Sequence, residues 1–393
     1  MTDEGEQSAR VGLSRSCEPG SAAVHAAIAV YGATAVWDSL RRGLPVGSIS
    51  TVLAEGARLR AEGYHPGRDL ELLLAGGGRL LCPQDNEWPT DRLTWCGSPR
   101  DAPPLVLYLR GPLLLDQLVE RSVSLVGARA ASAYGSYVAK DLALGLADLG
   151  WSVISGGAYG IDGAAHAGAL LSERAGTAAV LACGVDVAYP RGHARLLAEV
   201  AERGLVVSEV PPGTSPTRSR FLVRNRVIAA LSVGTVVVEA AARSGSLTTA
   251  RLAGDLGRVV MAVPGSVTSV MSGGSNQLLR DGAICVTSAA EVLDGLGRLG
   301  EDAAPRRRAP VQPRDELSAV VRQVLEAVPV RQWAGEASIA RAAGVPALTV
   351  MQVLPPLQVA GLVEQGLAGW RLTALGAGRP VGRARMPDAR AAP

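Results

Sequence analysis

One segment combines positive charge with an aromatic ring, and its residue types suit a ligand that carries phosphate groups. Between Arg218 and Arg226 four arginines fall within nine residues, with no acidic residue among them. The only phenylalanine of the chain, Phe221, lies in their midst. Guanidinium groups bind phosphates, and a ring beside them can stack on an unpaired base. The segment therefore predicts a base-stacking position inside a phosphate-binding patch, although such runs also occur on solvated helix faces.

Composition limits the classes of protein to which the chain can belong. Its 393 residues suffice for two or three domains, and 48% hydrophobic with 19% charged residues indicate a folded globular protein. The net charge is only +3, so attraction to nucleic acid must come from local clusters. Lys140 is the sole lysine and follows no Walker loop, which argues against P-loop ATP hydrolysis and against Schiff-base chemistry.

Several classes of site have no support in the sequence. The five cysteines form no C-x-x-C pair, and no spacing of His, Cys, Asp or Glu suits a metal ion. The turn that begins at Gly127 lacks the G-x-G-x-x-G pattern of dinucleotide binding, so we expect neither a metal nor a cofactor. The first residues are polar and acidic, and no run reaches the roughly eighteen apolar residues of a membrane span. We expect a cytoplasmic protein with reduced thiols and no membrane partner.

The pattern along the chain predicts five segments. Residues 1–75 form a small helical module of helix-hairpin-helix type, whose first nineteen residues we expect to be frayed, and residues 76–298 form an α/β domain. A linker at 299–315 precedes a helix, a helix-turn-helix and a hairpin at 316–376, which in that order predict a winged helix. Residues 377–393 are expected to be a disordered tail. Because the predicted recognition helix carries no arginine or lysine, we favour protein interaction over DNA reading for the winged helix.

The α/β domain has a repeating order of strands and helices. From Ser122 onward, strands that are apolar throughout alternate with helices, which indicates a doubly wound, mainly parallel sheet covered on both faces. The runs at 79–82 and 105–109 predict further strands at the edge of this sheet. Such a sheet binds its ligands beyond the carboxyl ends of its strands. That edge gathers the glycine-rich turns and the arginine segment.

Two turns at this edge have the composition of phosphate-binding sites. The turn at 156–163 leads from a strand into a helix, where backbone amides and the helix dipole favour an anion. The turn at 243–247 repeats the arrangement and adds the hydroxyls of Ser244 and Ser246. Each turn alone is equally consistent with tight packing and a serine N-cap. Together with Arg129 and the arginine segment, the two turns favour an extended anion.

The candidate catalytic groups have no spacing that enforces the geometry of a nucleophile and a base. His166 and His193 could pair with Cys183, but we expect His166 to be a packed helix residue. Glu239, at a strand end, could act as a general base or as an anchor for loop amides and arginines, and we favour the anchor. Asp162 is likewise expected to be structural.

The motifs resemble, in order, those of the DNA-processing protein A family (DprA, also called Smf). The resemblance covers the chain from about Arg79 to Leu293. Its motifs are VGAR at 126–129, SGGAYGIDGAAH at 155–166, LACGVDVAYP at 181–190, SE at 208–209, PPGT at 211–214, Phe221, RNR at 224–226, VEA at 238–240, RSGSLTTA at 243–250 and AVPG at 262–265.

The resemblance implies a Rossmann-like fold that binds single-stranded DNA, usually as a dimer, and hands the strand to the recombinase RecA. It implies that Arg129 is the family's basic residue after the first strand, and that Arg218 and Phe221 are its pair for phosphate and base contact. This sequence has Ala128 where the family frequently has serine, and Tyr159 where it frequently has arginine or lysine. The first change removes a hydroxyl donor, and the second removes a charge.

The motifs and the resemblance together predict a DNA-binding surface at the carboxyl edge of the sheet, without catalysis. Its members are Gly127, Arg129, Ser155, Gly156, Gly157, Arg218, Arg220, Phe221, Arg224, Asn225, Arg226, Ser244, Gly245 and Ser246, with Glu239 and Asp162 as structural supports. Two alternatives stay open. One is a nucleotide phosphoribohydrolase similar to the lysine-decarboxylase-like enzymes, and the other is a winged-helix transcription regulator with a ligand-sensing α/β domain.

Overall fold

The computed structural model describes residues 4–93, 102–296 and 317–377. The chain divides into two compact units, Met1–Pro305 and Arg306–Pro393. The predicted linker at 299–315 and the predicted tail beyond residue 377 lie outside the described residues. Within the described residues no single helix is long and apolar enough to cross a membrane. Only two helices taken together, Glu336–Ala343 and Ala347–Val359, reach the required length and composition, and they are bent by 106°.

Five helices form the N-terminal part of the first unit. They are α1 (Glu4–Ser16), α2 (Ala22–Tyr31), α3 (Ala33–Leu40), α4 (Thr51–Ala61) and α5 (Pro66–Ala75). The expectation that the first nineteen residues are frayed is wrong, because α1 buries Val11 and Leu13 completely. Gly12 permits this packing, since a Cβ atom there would lie 2.6 Å from the Trp37 ring of α3. A glycine that resembles a helix breaker in the sequence is therefore the contact point between two helices.

A nine-stranded, mostly parallel sheet forms the centre of the first unit, as the alternating pattern predicts. Its strands are β1 (Gly78–Leu81), β2 (Leu107–Arg110), β3 (Ser122–Val126), β4 (Ser152–Ser155), β5 (Thr177–Leu181), β6 (Leu205–Ser208), β7 (Gly234–Val237), β8 (Val259–Ala262) and β9 (Ile284–Cys285). Their order across the sheet is β1-β2-β6-β5-β4-β3-β7-β8-β9. The predicted edge strands β1 and β2 pair antiparallel, and the other strands run parallel to one another.

Helices cover both faces of this sheet. They are α6 (Thr90–Leu93), α7 (Leu115–Glu120), α8 (Ala133–Asp148), α9 (Ile161–Ala169), α10 (Ala194–Arg203), α11 (Arg218–Leu231), α12 (Ser246–Asp255), α13 (Gly273–Arg280) and α14 (Ala289–Leu296). On one face Val123 and Leu125 of β3 share an apolar cluster with Leu142 of α8. On the other face Val126 shares a cluster with Ile228 of α11. Because both faces are buried, the strands do not alternate apolar with polar residues, and hydroxyl residues such as Ser124 and Thr177 are themselves buried.

In the second unit three helices precede a hairpin. They are α15 (Ala319–Ala327), α16 (Glu336–Ala343) and α17 (Ala347–Val359), followed by β10 (Val363–Gly366) and β11 (Gly369–Leu372). The two strands pair antiparallel. Val324, Ile339 and Val350, one from each helix, are buried in one cluster with Trp370 of the hairpin. The unit therefore has an apolar core of its own.

Candidate nucleic-acid interface

The order of the strands creates a crevice at the carboxyl edge of the sheet. From β3 the chain continues through β4, β5 and β6 on one side, and it then forms β7 and β8 on the other side of β3. The connections that follow β3 and β7 therefore lead in opposite directions, and ligands of open α/β sheets bind at such a point. A pocket of about 430 Å³ lies here, lined among others by Arg129, Phe221, Asn225, Arg243 and Met271.

Arg129 and Phe221 meet in this pocket. The guanidinium carbon of Arg129, which follows β3, lies 4.7 Å from the centroid of the Phe221 ring on α11. This distance is that of a cation–π contact, which holds the ring and the charge side by side. The ring of Tyr189 lies 5.5 Å from that of Phe221, at an angle of 47°. Phe221 is half-buried and Arg129 is exposed, so both remain accessible to a ligand.

The start of α11 places Arg218 one helical turn before Phe221. The side chain of Thr217 caps the helix by accepting a hydrogen bond from the Arg220 amide at 3.3 Å. Residues three apart on a helix lie on the same face, so Arg218 and Phe221 are neighbours on the surface of α11. Arg218 is exposed. The capped turn thus presents a cation beside the ring.

Arg224 is buried and does not present its charge at the surface. Its guanidinium group donates to the carbonyl oxygen of Gly156 at 2.8 Å and to that of Val180. Burial lowers the pKa of this guanidinium to about 10, and the carboxylate of Asp162 opposes the shift. The carbon of the group lies 6.0 Å from the Phe221 ring. Arg224 is 7% exposed and also lines the pocket, so its direct contact with DNA stays a prediction.

The turn after β4 binds an anion, but the anion is the chain's own Asp162. The Asp162 carboxylate accepts hydrogen bonds from the amides of Gly156 at 3.1 Å and Ala158 at 3.4 Å. Burial raises the pKa of this carboxyl group, and the charge of Arg224 works against the rise. Gly156 must lack a side chain, because a Cβ atom there would lie 2.5 Å from Arg224, and Gly157 supplies a φ of +68°. The predicted phosphate site at Gly156 is therefore filled by the protein itself.

Arg226 and Ser155 also lie inside the protein. Arg226 is 1% exposed and donates to the Glu209 carboxylate at 2.5 Å. Ser155 is 0% exposed, and its hydroxyl donates to the Leu125 carbonyl oxygen at 2.6 Å. The ion pair joins α11 to the segment after β6, and breaking such a buried pair is costly. The DNA contacts expected of Arg226 and Ser155 are corrected because neither polar group reaches the surface.

Arg220 is paired with a residue that the sequence did not single out. Its guanidinium group donates to both carboxylate oxygens of Glu18, each at 3.1 Å. Glu18 follows α1, so the N-terminal part of the unit contacts the helix that carries Phe221. Nearby, Arg15 of α1 donates to the carbonyl oxygen of Pro212 at 2.9 Å. The N-terminal helices therefore hold the segment that leads into α11.

The turn before α12 uses its serine hydroxyls within the protein. The hydroxyl oxygens of Ser244 and Ser246 lie 2.7 Å apart, and that of Ser244 also accepts the Ser246 amide at 3.4 Å. Ser246 is buried, whereas Arg243 and Gly245 are exposed. Asn225 of α11 donates to the Gly245 carbonyl oxygen at 3.5 Å and so ties the turn to that helix. The turn lines the pocket with Arg243 as its charged group.

Glu239 fastens the loop that carries Arg129. Its carboxylate accepts hydrogen bonds from the amide and the hydroxyl of Ser132, both at 2.8 Å. Its own carbonyl oxygen accepts the Ala128 amide at 2.6 Å. Gly127 allows this approach, because a Cβ atom there would lie 2.7 Å from the same oxygen. Glu239 thus has the geometry of an anchor, with its carboxylate engaged at the N-terminus of α8.

The catalytic candidates do not form a reactive pair. His166 is buried with its Nδ1 atom 2.8 Å from the Thr177 hydroxyl, and burial lowers its pKa to about 3. Burial also raises the pKa of the Cys183 thiol to about 11. His193 contacts the ring of Tyr159 edge-on, with centroids 4.8 Å apart. Among the described residues no hydrogen bond joins Cys183 to either histidine, and no group of three or more His, Cys, Asp or Glu could hold a metal ion.

Comparison with known proteins places this arrangement in a family. The sequence profile of the family described as DNA recombination-mediator protein A matches residues 79–297. That is more than half of the chain. This chain belongs to the DNA recombination-mediator protein A family. In two strains of Mycobacterium tuberculosis, a protein that carries the name DNA processing protein DprA is 45% identical over 377 residues, which cover 93% of this chain and 94% of that protein.

A second relative and a solved structure each match a part of the chain. The DNA processing protein DprA of Bacillus subtilis is 39% identical over 202 residues, which cover 51% of this chain and 67% of that protein. The X-ray structure of DNA processing protein A from Streptococcus pneumoniae superimposes with a TM-score of 0.60 and 29% identity, over 76% of this chain and all of that one. The doubly wound sheet predicted from the alternating pattern, and the Rossmann-like fold that the resemblance implies, thus agree with the structure of this relative.

Proposed function

We propose that this protein is a recombination mediator that binds single-stranded DNA at the carboxyl edge of its sheet and acts without catalysis. The observation that carries the proposal is the stack of Arg129 on the half-exposed Phe221 ring, at 4.7 Å, in the pocket between the diverging connections. An unpaired base can stack on such a ring, whereas a base within a duplex must first leave its neighbours. Membership of the DNA recombination-mediator protein A family supports the same function.

Exposed arginines supply the phosphate contacts in this proposal. Arg129 and Arg243 line the pocket, and Arg218 lies one turn from Phe221 on α11. Phosphate contacts and stacking do not read base identity, so binding is tolerant of sequence. With three phosphates neutralised, log affinity falls against log salt with a slope of roughly −2.

The placement of the titratable groups supports binding over the alternative of a nucleotide phosphoribohydrolase. The general base of such an enzyme would be Glu239, and both of its carboxylate oxygens accept hydrogen bonds from Ser132. With burial shifting the pKa of His166 to about 3 and that of Cys183 to about 11, both groups are neutral near pH 7. A neutral thiol is a poor nucleophile.

We also propose that the protein acts as a dimer in the cytoplasm and hands the bound strand to the recombinase RecA. The proposed domains are a helical module at 1–75, the Rossmann-like domain at 76–298, a linker at 299–315, a winged helix at 316–376 and a tail at 377–393. The order of α15, α16, α17 and the hairpin supports the winged helix. Because α17 carries no arginine or lysine, this domain is proposed to bind a protein.

A competition titration tests the proposed function. A fluorescent oligothymidylate bound to the full chain is displaced by an unlabelled single strand or by a duplex of equal length, and fluorescence anisotropy reports the displacement. We expect the affinity for the single strand to be at least tenfold higher than that for the duplex, a difference in binding free energy of about 1.4 kcal/mol or more. RecA added to the complex is expected to assemble on the strand sooner than on the strand alone. Equal competition by the duplex would contradict the proposal.

The ion pair between Glu18 and Arg220 predicts a gain of affinity in one variant. Replacing Glu18 by glutamine releases the Arg220 guanidinium beside the proposed path of the strand and removes a negative charge. One additional charge-assisted contact of roughly 1 kcal/mol corresponds to about fivefold tighter binding. The salt slope is expected to become steeper by about 0.7. Anisotropy titrations at several salt concentrations measure both quantities.

Two controls test whether the higher affinity of Glu18→Gln comes from the release of Arg220. Glu55→Gln removes an acid that pairs with Arg58 on α4, and it is expected to leave the affinity unchanged. Adding Arg220→Gln to Glu18→Gln is expected to abolish the gain, because no cation is then released. Weaker binding by Glu18→Gln alone would show instead that the pair is needed to position α11.

A further inference from the structure

We propose that Tyr134 and Tyr137 on α8 form a second base-stacking site, which takes up unpaired nucleotides beyond those held at Phe221. The inference rests on the proposed function, because it extends the path of the same single strand. The second site is on α8, which follows Arg129 in the chain, whereas Phe221 is on α11. The two sites together would bind a longer segment than the pocket alone.

The exposure of the two rings is the first observation. Tyr134 is 49% exposed and Tyr137 is 69% exposed, whereas Tyr108 of the same sheet domain is completely buried. The two residues are three apart on α8, so their rings lie on one face of the helix. Aromatic residues make up only 4% of the chain, and two exposed rings on one turn are therefore a local concentration. Exposed aromatic surface of this kind marks a binding site more often than isolated apolar residues do.

The position of α8 is the second observation. The helix begins directly after the loop that carries Arg129, and Ser132 caps it while hydrogen-bonded to Glu239. Tyr134 and Tyr137 therefore belong to the first two turns of a helix that begins at the same edge of the sheet as the pocket. The Tyr134 hydroxyl donates to the carbonyl oxygen of Pro264, after β8, at 2.9 Å. This bond anchors the tip of the ring and leaves its faces available for stacking.

The segment after β8 connects the two sites. It begins at Pro264, which accepts the hydrogen bond from Tyr134, and it reaches Met271, which lines the pocket with Arg129 and Phe221. Between these points Val267 and Val270 are 93% and 82% exposed. Ser266 and Thr268 are exposed as well, so this segment mixes apolar and hydroxyl side chains and carries no charged one.

We infer a polynucleotide as the occupant because the two rings lie on the helix that begins at the same edge of the sheet as the pocket, and because a cation follows them. Arg129 lies before the two tyrosines in the chain, and Lys140 follows Tyr137 by one helical turn and is exposed. Asp141, four residues after Tyr137, is exposed as well, so Lys140 offers one phosphate contact beside the rings while Arg129 stays with Phe221 in the pocket. Lys140 is the only lysine in a chain whose other basic residues are arginines.

A length series tests the second site with fluorescent oligothymidylates of about 6 and about 20 nucleotides, because single-strand binders cover roughly 4–16 nucleotides per site. Tyr137→Ala is expected to weaken binding of the long strand by roughly 5- to 100-fold and to leave the short strand unchanged. Tyr137→Phe is expected to retain wild-type binding, because stacking needs the ring and not the hydroxyl. Tyr31→Ala, which removes a ring of 52% exposure from α2, serves as the matched control.

The outcomes separate this inference from the proposed function. Long-strand binding that is unchanged in Tyr137→Ala but lost in Phe221→Ala would overturn the second site and leave the proposed function standing. Equal losses for both lengths in Tyr137→Ala would also overturn it, since the effect would then be general. A change in self-association without a change in DNA binding would assign the rings to a protein contact instead. No effect of Phe221→Ala on either strand would overturn the proposed function itself.

Discussion

Replacing Phe221 by alanine is expected to weaken the binding of single-stranded DNA by roughly 5- to 100-fold, the cost of losing one base stack. The substitution removes the ring and also the surface against which the Arg129 guanidinium is held. The fold is expected to survive, because the ring is only half-buried at the start of α11. Fluorescence anisotropy with an oligothymidylate at fixed salt measures the change.

A charge variant and a control at the opposite edge of the sheet complete this test. Arg129→Gln keeps a polar side chain but removes the charge, and the salt slope is expected to become shallower by about 0.7. Arg203 ends α10 just before β6, at the opposite edge, so Arg203→Gln is expected to bind as the wild type does. Equal affinities of the wild type and Phe221→Ala would remove the stacking site and the proposed function with it.

Replacing Arg224 by methionine is expected to lower the free energy of unfolding by about 3–5 kcal/mol, as breaking a buried charge arrangement does. The Asp162 carboxylate would remain buried without the cation that offsets its burial. The carbonyl oxygens of Gly156 and Val180 would also lose their donor. Equilibrium unfolding in urea, followed by circular dichroism, measures the loss.

The control for Arg224→Met is a second arginine-to-methionine substitution on the same helix, α11. Arg218→Met removes an exposed arginine from the first turn of α11, and it is expected to change the free energy of unfolding by less than about 0.5 kcal/mol. A double variant, Asp162→Asn with Arg224→Met, is expected to recover part of the loss, because no buried charge is then left alone. If Arg224→Met unfolds at the same urea concentration as Arg218→Met, the guanidinium does not hold the turn after β4.

The order of helices and strands could be predicted because periodicity is a local property. The runs that predict strands and helices from Ser122 onward correspond to β3 through α12, with ends that differ by a few residues. The prediction that the first nineteen residues are frayed failed at α1, because Gly12 and the polar first residues do not show the apolar periodicity of a helix. In the structure Trp37 of α3 packs against this glycine, and that contact joins residues that are more than twenty positions apart in the chain.

The role of each arginine in α11 could be predicted only in part. Arg224 lies three and four residues before Val227 and Ile228, which are buried, so its burial agrees with helical periodicity, although the motifs of the sequence assigned Arg224 to the DNA-binding surface. No comparable signal marked Glu18, which lies 202 residues before its partner Arg220 in the chain. Charge in a sequence predicts attraction to an anion, but the folded chain determines which anion is nearest.

The sequence by itself determined the family and the parallel sheet, and it predicted the edge of that sheet at which a ligand would bind. These follow from motifs and periodicities that each occupy a short stretch of chain. Only the tertiary structure decided that Asp162 fills the turn at Gly156, and that Arg129 is exposed beside Phe221 whereas Arg224 and Arg226 are buried. The physical reason is that burial and pairing depend on distances between segments far apart in sequence, which the fold alone sets.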